Sequence, residues 1–166
     1  MSSVASILHQ ADIFDDLTAT QLELISSITD ERHYQAGDVI FEENTTGNEM
    51  YVIAGGEVEI QVDPAMIGDE SNQGAFTIAT FRRGQSFGEV SMVDEGLRSA
   101  SARCTQQDTH LIVIPRGKLM LLCDTYPMLG YKLMRNLAAD LAMKIRHTDL
   151  QVREQLMWTH DDKKGK

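Results

Sequence analysis

The chain has 166 residues, 42% of them hydrophobic, which suits one globular domain with a real core and excludes a disordered chain. Its formal net charge of −10 excludes a non-specific nucleic-acid binder, which needs a basic face, and leaves any anionic ligand to be drawn in by local positive charge. Two distant cysteines, Cys104 and Cys123, exclude a disulfide scaffold and a zinc pattern, and no apolar run approaches the roughly 20 residues of a membrane span.

In chain order, residues 1–14 lack a basic start followed by an apolar run, so no signal peptide is read and a cytoplasmic protein without membrane attachment is expected. Thr18-Ala19-Thr20-Gln21 reads as a capping box, with Leu22, Ile25 and Ile28 following at helical spacing. After Asp30 the period changes. Short apolar runs alternate with turns at Gly37, Gly47, Gly55-Gly56, Gly74, Gly84, Gly88 and Gly96. Strands are predicted at 31–35, 39–41, 50–54, 57–62, 76–81, 98–104 and 109–114, with Gly55-Gly56 as a hairpin turn and 63–74 as a loop. In 57–62, Val58, Ile60 and Val62 share one face, while Glu57, Glu59 and Gln61 share the other. This spacing of strands and turns predicts a β-barrel or sandwich.

Beyond it the pattern is helical. Pro115 suits a first helical position, and Pro127 opens a second helix reaching about Trp158. Ala138, Leu141, Ile145, Thr148 and Val152 recur at alternating three and four, a weak heptad seam. So long a helix needs cover along its apolar stripe, so a homodimer through paired helices is expected, the other reading being packing on its own barrel. The expected organisation is a domain at 1–126, a lid and dimer helix at 127–158, and a frayed tail at 159–166.

Arg98 is the anomaly. On a strand over 98–104 it shares a face with Ala100, Ala102 and Cys104, which looks like an interior. An inward guanidinium needs an anion, either a carboxylate such as Glu89 or a ligand. Small residues follow it, Ser99 to Ala102, and leave room. Phe87-Gly88-Glu89-Val90-Ser91-Met92-Val93 can form one helical turn that starts at a glycine, and the turn Asp94-Glu95-Gly96 returns the chain so that Arg98 lies beside it. That is a small anion cradle, to which Ser99 could add a hydroxyl. A carboxylate only accepts hydrogen bonds, so Glu89 beside a phosphate makes sense if the ligand also carries a hydroxyl donor.

Phe87-Gly88-Glu89 followed by Leu97-Arg98-Ser99-Ala100 resembles the phosphate-binding cassette of cyclic-nucleotide-binding domains, a family that includes bacterial catabolite activators, protein kinase A regulatory subunits and cyclic-nucleotide-gated channels. The resemblance extends over about residues 8–145, through Phe14, Leu22, Tyr34, Gly37, Ile40, Phe41, Tyr51, Ile53, Gly55, Val58 and Gly84. It implies an eight-stranded jelly-roll-like β-barrel (a double-stranded β-helix) with N-terminal helices and a long C-terminal helix. It implies a ribose 2′-hydroxyl on Glu89, and a cyclic phosphate on Arg98, Ser99 and the amides of Gly88, Glu89, Val90 and Ser91, with Phe87 and Ala100 beside them. Two departures stand out. Leu97 replaces a frequent proline, and Lys144, Ile145 and Thr148 fall near the base-contacting positions of the long helix without the hydroxyl pair found in catabolite activators.

No catalytic pattern competes. The five histidines form no i, i+4 pair, and there is no G-x-S-x-G elbow or Walker loop. The chain stops about where the helix-turn-helix of the transcription factors would begin, so no DNA binding is expected. The expected function is a stand-alone, non-enzymatic cyclic-nucleotide sensor. It needs no cofactor or metal, takes cAMP as first ligand candidate and cGMP as second, and signals to an unidentified effector protein through the C-terminal helix. The alternative is a ligand-free interaction or oligomerisation module in which Arg98 pairs with Glu89.

Overall fold

Met50 to Ala54 and Leu111 to Ile114 are uninterrupted apolar runs, and strands apolar on both faces need cover on both. The computed structural model describes residues 1–67 and 74–164 and places these runs at the centre of the molecule. Eight strands, β1 (Asp30–Tyr34), β2 (Val39–Phe41), β3 (Glu49–Gly55), β4 (Glu57–Val62), β5 (Phe76–Arg82), β6 (Ser86–Phe87), β7 (Ser101–Cys104) and β8 (Thr109–Pro115), form two four-stranded antiparallel sheets. Their orders are β1-β8-β3-β6 and β2-β7-β4-β5, the expected jelly roll.

The two faces of the first sheet serve two cores. Tyr51, Ile53, Leu111 and Val113 point between the sheets, where they meet Val58, Phe87, Ala102 and Cys104. Met50, Val52, Ala54, Ile112 and Ile114 point outward into a layer of helices. That layer holds α1 (Ser3–Leu8), a 3-10 turn at Asp12–Phe14, α2 (Ala19–Ser26), α4 (Arg116–Thr125) and the first turns of α5 (Pro127–Lys164). The capping box forms as read: Thr18 Oγ1 accepts from the Gln21 amide, and Gln21 Oε1 accepts from the Thr18 amide. Leu129, Leu133 and Leu137 seat α5 on this layer, and Asn136 Nδ2 donates to the carbonyls of Ile13 and Asp15.

Several local readings are corrected. Gly55-Gly56 is not a hairpin turn, because β3 and β4 lie in different sheets. It is the corner where the chain crosses between them, with Gly56 at φ +88° against the Thr109 backbone. The two-residue β6 was not read, being too short to show a period; it pairs with Tyr51 and Val52. The strand expected over 98–104 starts at Ser101, although Arg98, Ala100, Ala102 and Cys104 are all buried on one side. The backbone of Arg98 is used elsewhere: its amide donates to Thr45 O and its carbonyl accepts from Asn44 N, each at 2.8 Å. Pro115 ends β8 and caps α4 rather than standing inside it. Residues 64–67 of the expected loop form a 3-10 turn, and 68–73 lie outside the described residues.

Helix α5 continues to Lys164, past the expected end at Trp158, because no proline or glycine stands between Trp158 and Gly165. Of the expected tail only 165–166 fall outside the described residues. The heptad seam divides: Leu141 packs on the chain's own core, whereas Ala138, Ile145, Thr148 and Val152 are exposed.

The sheet corner makes a stability prediction. Gly56→Ala combines a left-handed φ with a Cβ placed 2.8 Å from Thr109 Cα, whereas Gly37→Ala, at φ +92° with open space around it, carries the backbone strain alone. Chemical unfolding should find Gly37→Ala costing about 1 kcal/mol and Gly56→Ala about 2 kcal/mol more. Equal losses would remove the close approach at the corner.

Candidate ligand-binding site

Arg98 is only 6% exposed, yet among the described residues no carboxylate comes within ion-pair distance of it. Neutral groups hold the guanidinium. One terminal nitrogen donates to Glu49 O at 2.8 Å and the other to Gly88 O at 3.2 Å. The Phe41 ring lies 4.1 Å beneath it and the Tyr51 ring 5.9 Å away. Among the described residues its buried Nε has no hydrogen-bond partner. Burial weakens the group's hold on its proton, opposed by the charges of Tyr51, Glu49 and Glu89.

Two glycines permit this packing. Gly88 has φ +75°, and a Cβ there would sit 2.9 Å from Arg98 Nη1 and 3.3 Å from Glu49 O. A Cβ at Gly47 would overlap the guanidinium itself and approach Ser91 Oγ to 2.7 Å. Gly47 belongs to the 42–48 segment that crosses over the arginine and takes both its backbone groups. Gly88 leads through Glu89 into the single turn of α3 (Val90–Val93), with Ser91 and Met92 buried.

Glu89 is 4% exposed and does not pair with Arg98, contrary to the reading in which these two satisfy each other. Its partner is Lys144 of α5, whose Nζ lies 2.6 Å from Glu89 Oε1 and 2.9 Å from Asp140. Lys144 also donates to Ser86 O at 3.3 Å and lies 5.2 Å from the Phe81 ring centroid. Burial works against this ammonium, but Glu89 and then Asp140 outweigh it and hold the pKa above its ordinary value. Glu89 Oε2 is buried with no hydrogen-bond partner among the described residues.

The fold therefore buries Phe87, Glu89, Ser91, Arg98 and Ala100, sets Gly88 against Arg98, and brings Lys144 to Glu89. It leaves Val90 and Ser99 exposed, Ile145 exposed, and Thr148 turned back to the Lys144 carbonyl at 3.0 Å. The sequence reading missed Glu49, Gly47, Asp140 and Arg32. Arg32 grips the Glu49 carboxylate with two nitrogens, at 2.8 and 3.0 Å, and Tyr51 Oη donates to the same carboxylate at 2.9 Å. A signal for Glu49 existed. It stands two residues before Tyr51 and four before Ile53, so strand alternation turns it inward.

A separate open cleft of about 240 Å³ on the outer side of the second sheet is lined by Glu42, Glu43 and Asp63 with Val39, Ser101 and Arg103. Three carboxylates make it hostile to a phosphate. Among the described residues no group of three His, Cys, Asp or Glu side chains could hold a metal ion, and no helix is long and apolar enough to cross a membrane.

Comparison with known proteins matches this architecture. The cyclic AMP receptor protein of Thermus thermophilus is 32% identical over 140 residues, covering 84% of this chain and 60% of its own length. The crystal structure of the Thermus thermophilus catabolite activator protein superposes with a TM-score of 0.72 at 31% identity, over 86% of this chain and 62% of that one. A cyclic nucleotide-binding domain from Methylobacillus flagellatus superposes with a TM-score of 0.77 at 25% identity, over 92% of this chain and 82% of that one. The chain thus spans less than two thirds of the Thermus protein. The family model of the cyclic nucleotide-binding domain matches residues 31–126, which run from β1 through the cassette to the end of α4, and the chain belongs to that family.

Proposed function

We propose that the protein is a non-enzymatic sensor that binds cAMP, with cGMP as the second candidate, and passes binding to a separate effector protein through α5. The observation that carries this reading is the pair of unmet polar atoms on the two residues that the sequence singled out: Arg98 Nε and Glu89 Oε2 are both buried without partners among the described residues. A phosphate supplies the acceptor that Arg98 lacks, and a ribose 2′-hydroxyl supplies the donor that Glu89 Oε2 lacks. The amides of Gly88 to Ser91 and the buried Ser91 hydroxyl complete the phosphate shell, with Ala100 leaving space. The choice of cAMP rests on the Thermus relative, which is a cyclic AMP receptor protein.

Glu89 can serve ligand and helix together. Oε1 stays with Lys144 while Oε2 takes the hydroxyl, so a ligand on the cassette acts on α5 through one carboxylate. Regulation then requires that the ligand bind more tightly with α5 in one position than in the other, a coupling typically of about 1–3 kcal/mol. We further propose a cytoplasmic homodimer. Ile145, Leu150, Val152 and Trp158 on distal α5 are 62%, 58%, 48% and 77% exposed, and two such helices can cover one another.

Calorimetric titration of nucleotide-free protein should show cAMP binding that Arg98→Ala weakens about a hundredfold or more, since a charge-assisted contact to phosphate is lost. Unchanged binding by Arg98→Ala would put the phosphate elsewhere. Wild-type protein should bind 2′-deoxy-cAMP about tenfold more weakly than cAMP, and Glu89→Gln should shrink that difference; equal discrimination in both proteins would remove Glu89 from the ribose. In solution the protein should sediment at twice 18.5 kDa, and Ile145→Asp should return it to the single-chain mass. A wild-type protein found only at 18.5 kDa would end the dimer proposal.

A further inference from the structure

We propose that Arg32 and Glu49 form a positioning pair for the anion site, in which Arg32 holds the Glu49 carboxylate off Arg98 so that the arginine meets a phosphate without a protein carboxylate already on it. This rests on the reading of Arg98 as the phosphate ligand. Glu49 is the natural competitor. Its own carbonyl accepts from Arg98 Nη2 at 2.8 Å, its side chain turns inward with Tyr51, and its charge acts on Arg98 as well as on Arg32. A half-buried carboxylate one residue's reach from a buried guanidinium would ordinarily capture it.

Glu49 does not do so because both its oxygens are occupied. Oε1 takes Arg32 Nη2 at 2.8 Å, and Oε2 takes Arg32 Nη1 at 3.0 Å and Tyr51 Oη at 2.9 Å. Arg32 arrives from β1, two strands away from β3 across β8, and lies opposite Leu111 in register, so it faces the same interior. The planar fork fills the carboxylate in a way that a point charge cannot. Tyr51 adds a second restraint, and its ring is itself fixed by stacking on Phe87 at 5.0 Å. Burial opposes the charge on Glu49, yet Arg32 and Tyr51 keep its carboxyl below the usual carboxylate value. The result is a division of labour: Glu49 gives Arg98 a neutral carbonyl and gives its charge to Arg32.

The test is a double-substitution cycle on the full chain, read as the dissociation constant for cAMP. Arg32→Met should free Glu49 to pair with Arg98 and weaken cAMP binding about tenfold. Adding Glu49→Gln to it should restore binding, because the amide carries no competing charge. If Arg32→Met does not fold, Arg32→Lys, which keeps the charge and loses the fork, should weaken binding by less and be rescued by Glu49→Gln in the same way. Wild-type protein that binds no cyclic nucleotide would overturn the phosphate reading and this pair with it. Wild-type protein that binds, with unchanged binding in the Arg32 variants or a loss that Glu49→Gln does not repair, would overturn the positioning pair alone.

Discussion

A guanidinium taken out of water without a carboxylate is the constraint around which this protein is arranged. Arg98 keeps its charge because carbonyl dipoles and aromatic faces replace part of its hydration: Glu49 O and Gly88 O at the ends of its fork, and the Phe41 ring beneath it. Each of these has its own support. Glu49 and Tyr51 lie on β3, which pairs with both β8 and β6, so the carbonyl belongs to an interior strand of the sheet. Gly88 reaches its position only through a left-handed φ, and Gly47 brings the crossing segment in close because it carries no side chain. Carbonyl dipoles and ring faces leave part of this cation's charge unneutralised.

The second charged centre is built on the same logic with the sign reversed. Glu89 is buried and half satisfied: Lys144 takes one oxygen, and among the described residues nothing takes the other. The residue that completes it comes from a different layer of the molecule. Helix α5 is anchored at its start by Leu129, Leu133 and Leu137, and at its middle by an ion pair to the cassette. Apolar packing of the first kind is strong and non-directional, whereas a partly buried ion pair depends on geometry and on what else occupies the carboxylate. The ion pair to the cassette therefore falls at the middle of α5 and not at its root.

Much of the fold was legible in the residues, and the reasons are local. The capping box at Thr18 and Gln21 needs only a four-residue spacing. The alternation of Val58, Ile60 and Val62 with charged neighbours marks β4, and Pro127 opens α5 where a proline costs nothing. The misreadings share a cause as well. Gly55-Gly56 has the composition of a hairpin turn, but whether two flanking strands pair or separate is settled by partners far along the chain, β8 for one and β7 for the other. Strand β6 has two residues and no period, and exists because β3 offers it an edge.

For the site, the sequence by itself determined that an arginine on a face with Ala100, Ala102 and Cys104 is anomalous, and that glycine, glutamate and arginine in this order resemble a phosphate cassette. Those are properties of neighbours in the chain, fixed by backbone periodicity and by the chemistry of single side chains. Only the tertiary structure decided who partners whom. The sequence offered Glu89 to Arg98, nine residues apart, but the fold gives Glu89 to Lys144, 55 residues away, and gives Arg98 the carbonyl of Glu49, 49 residues away. Arg32 and Glu49 likewise meet only because β8 inserts between their strands. Ion-pair choice depends on a few ångströms of three-dimensional distance and on local burial, and neither is a function of separation along the chain.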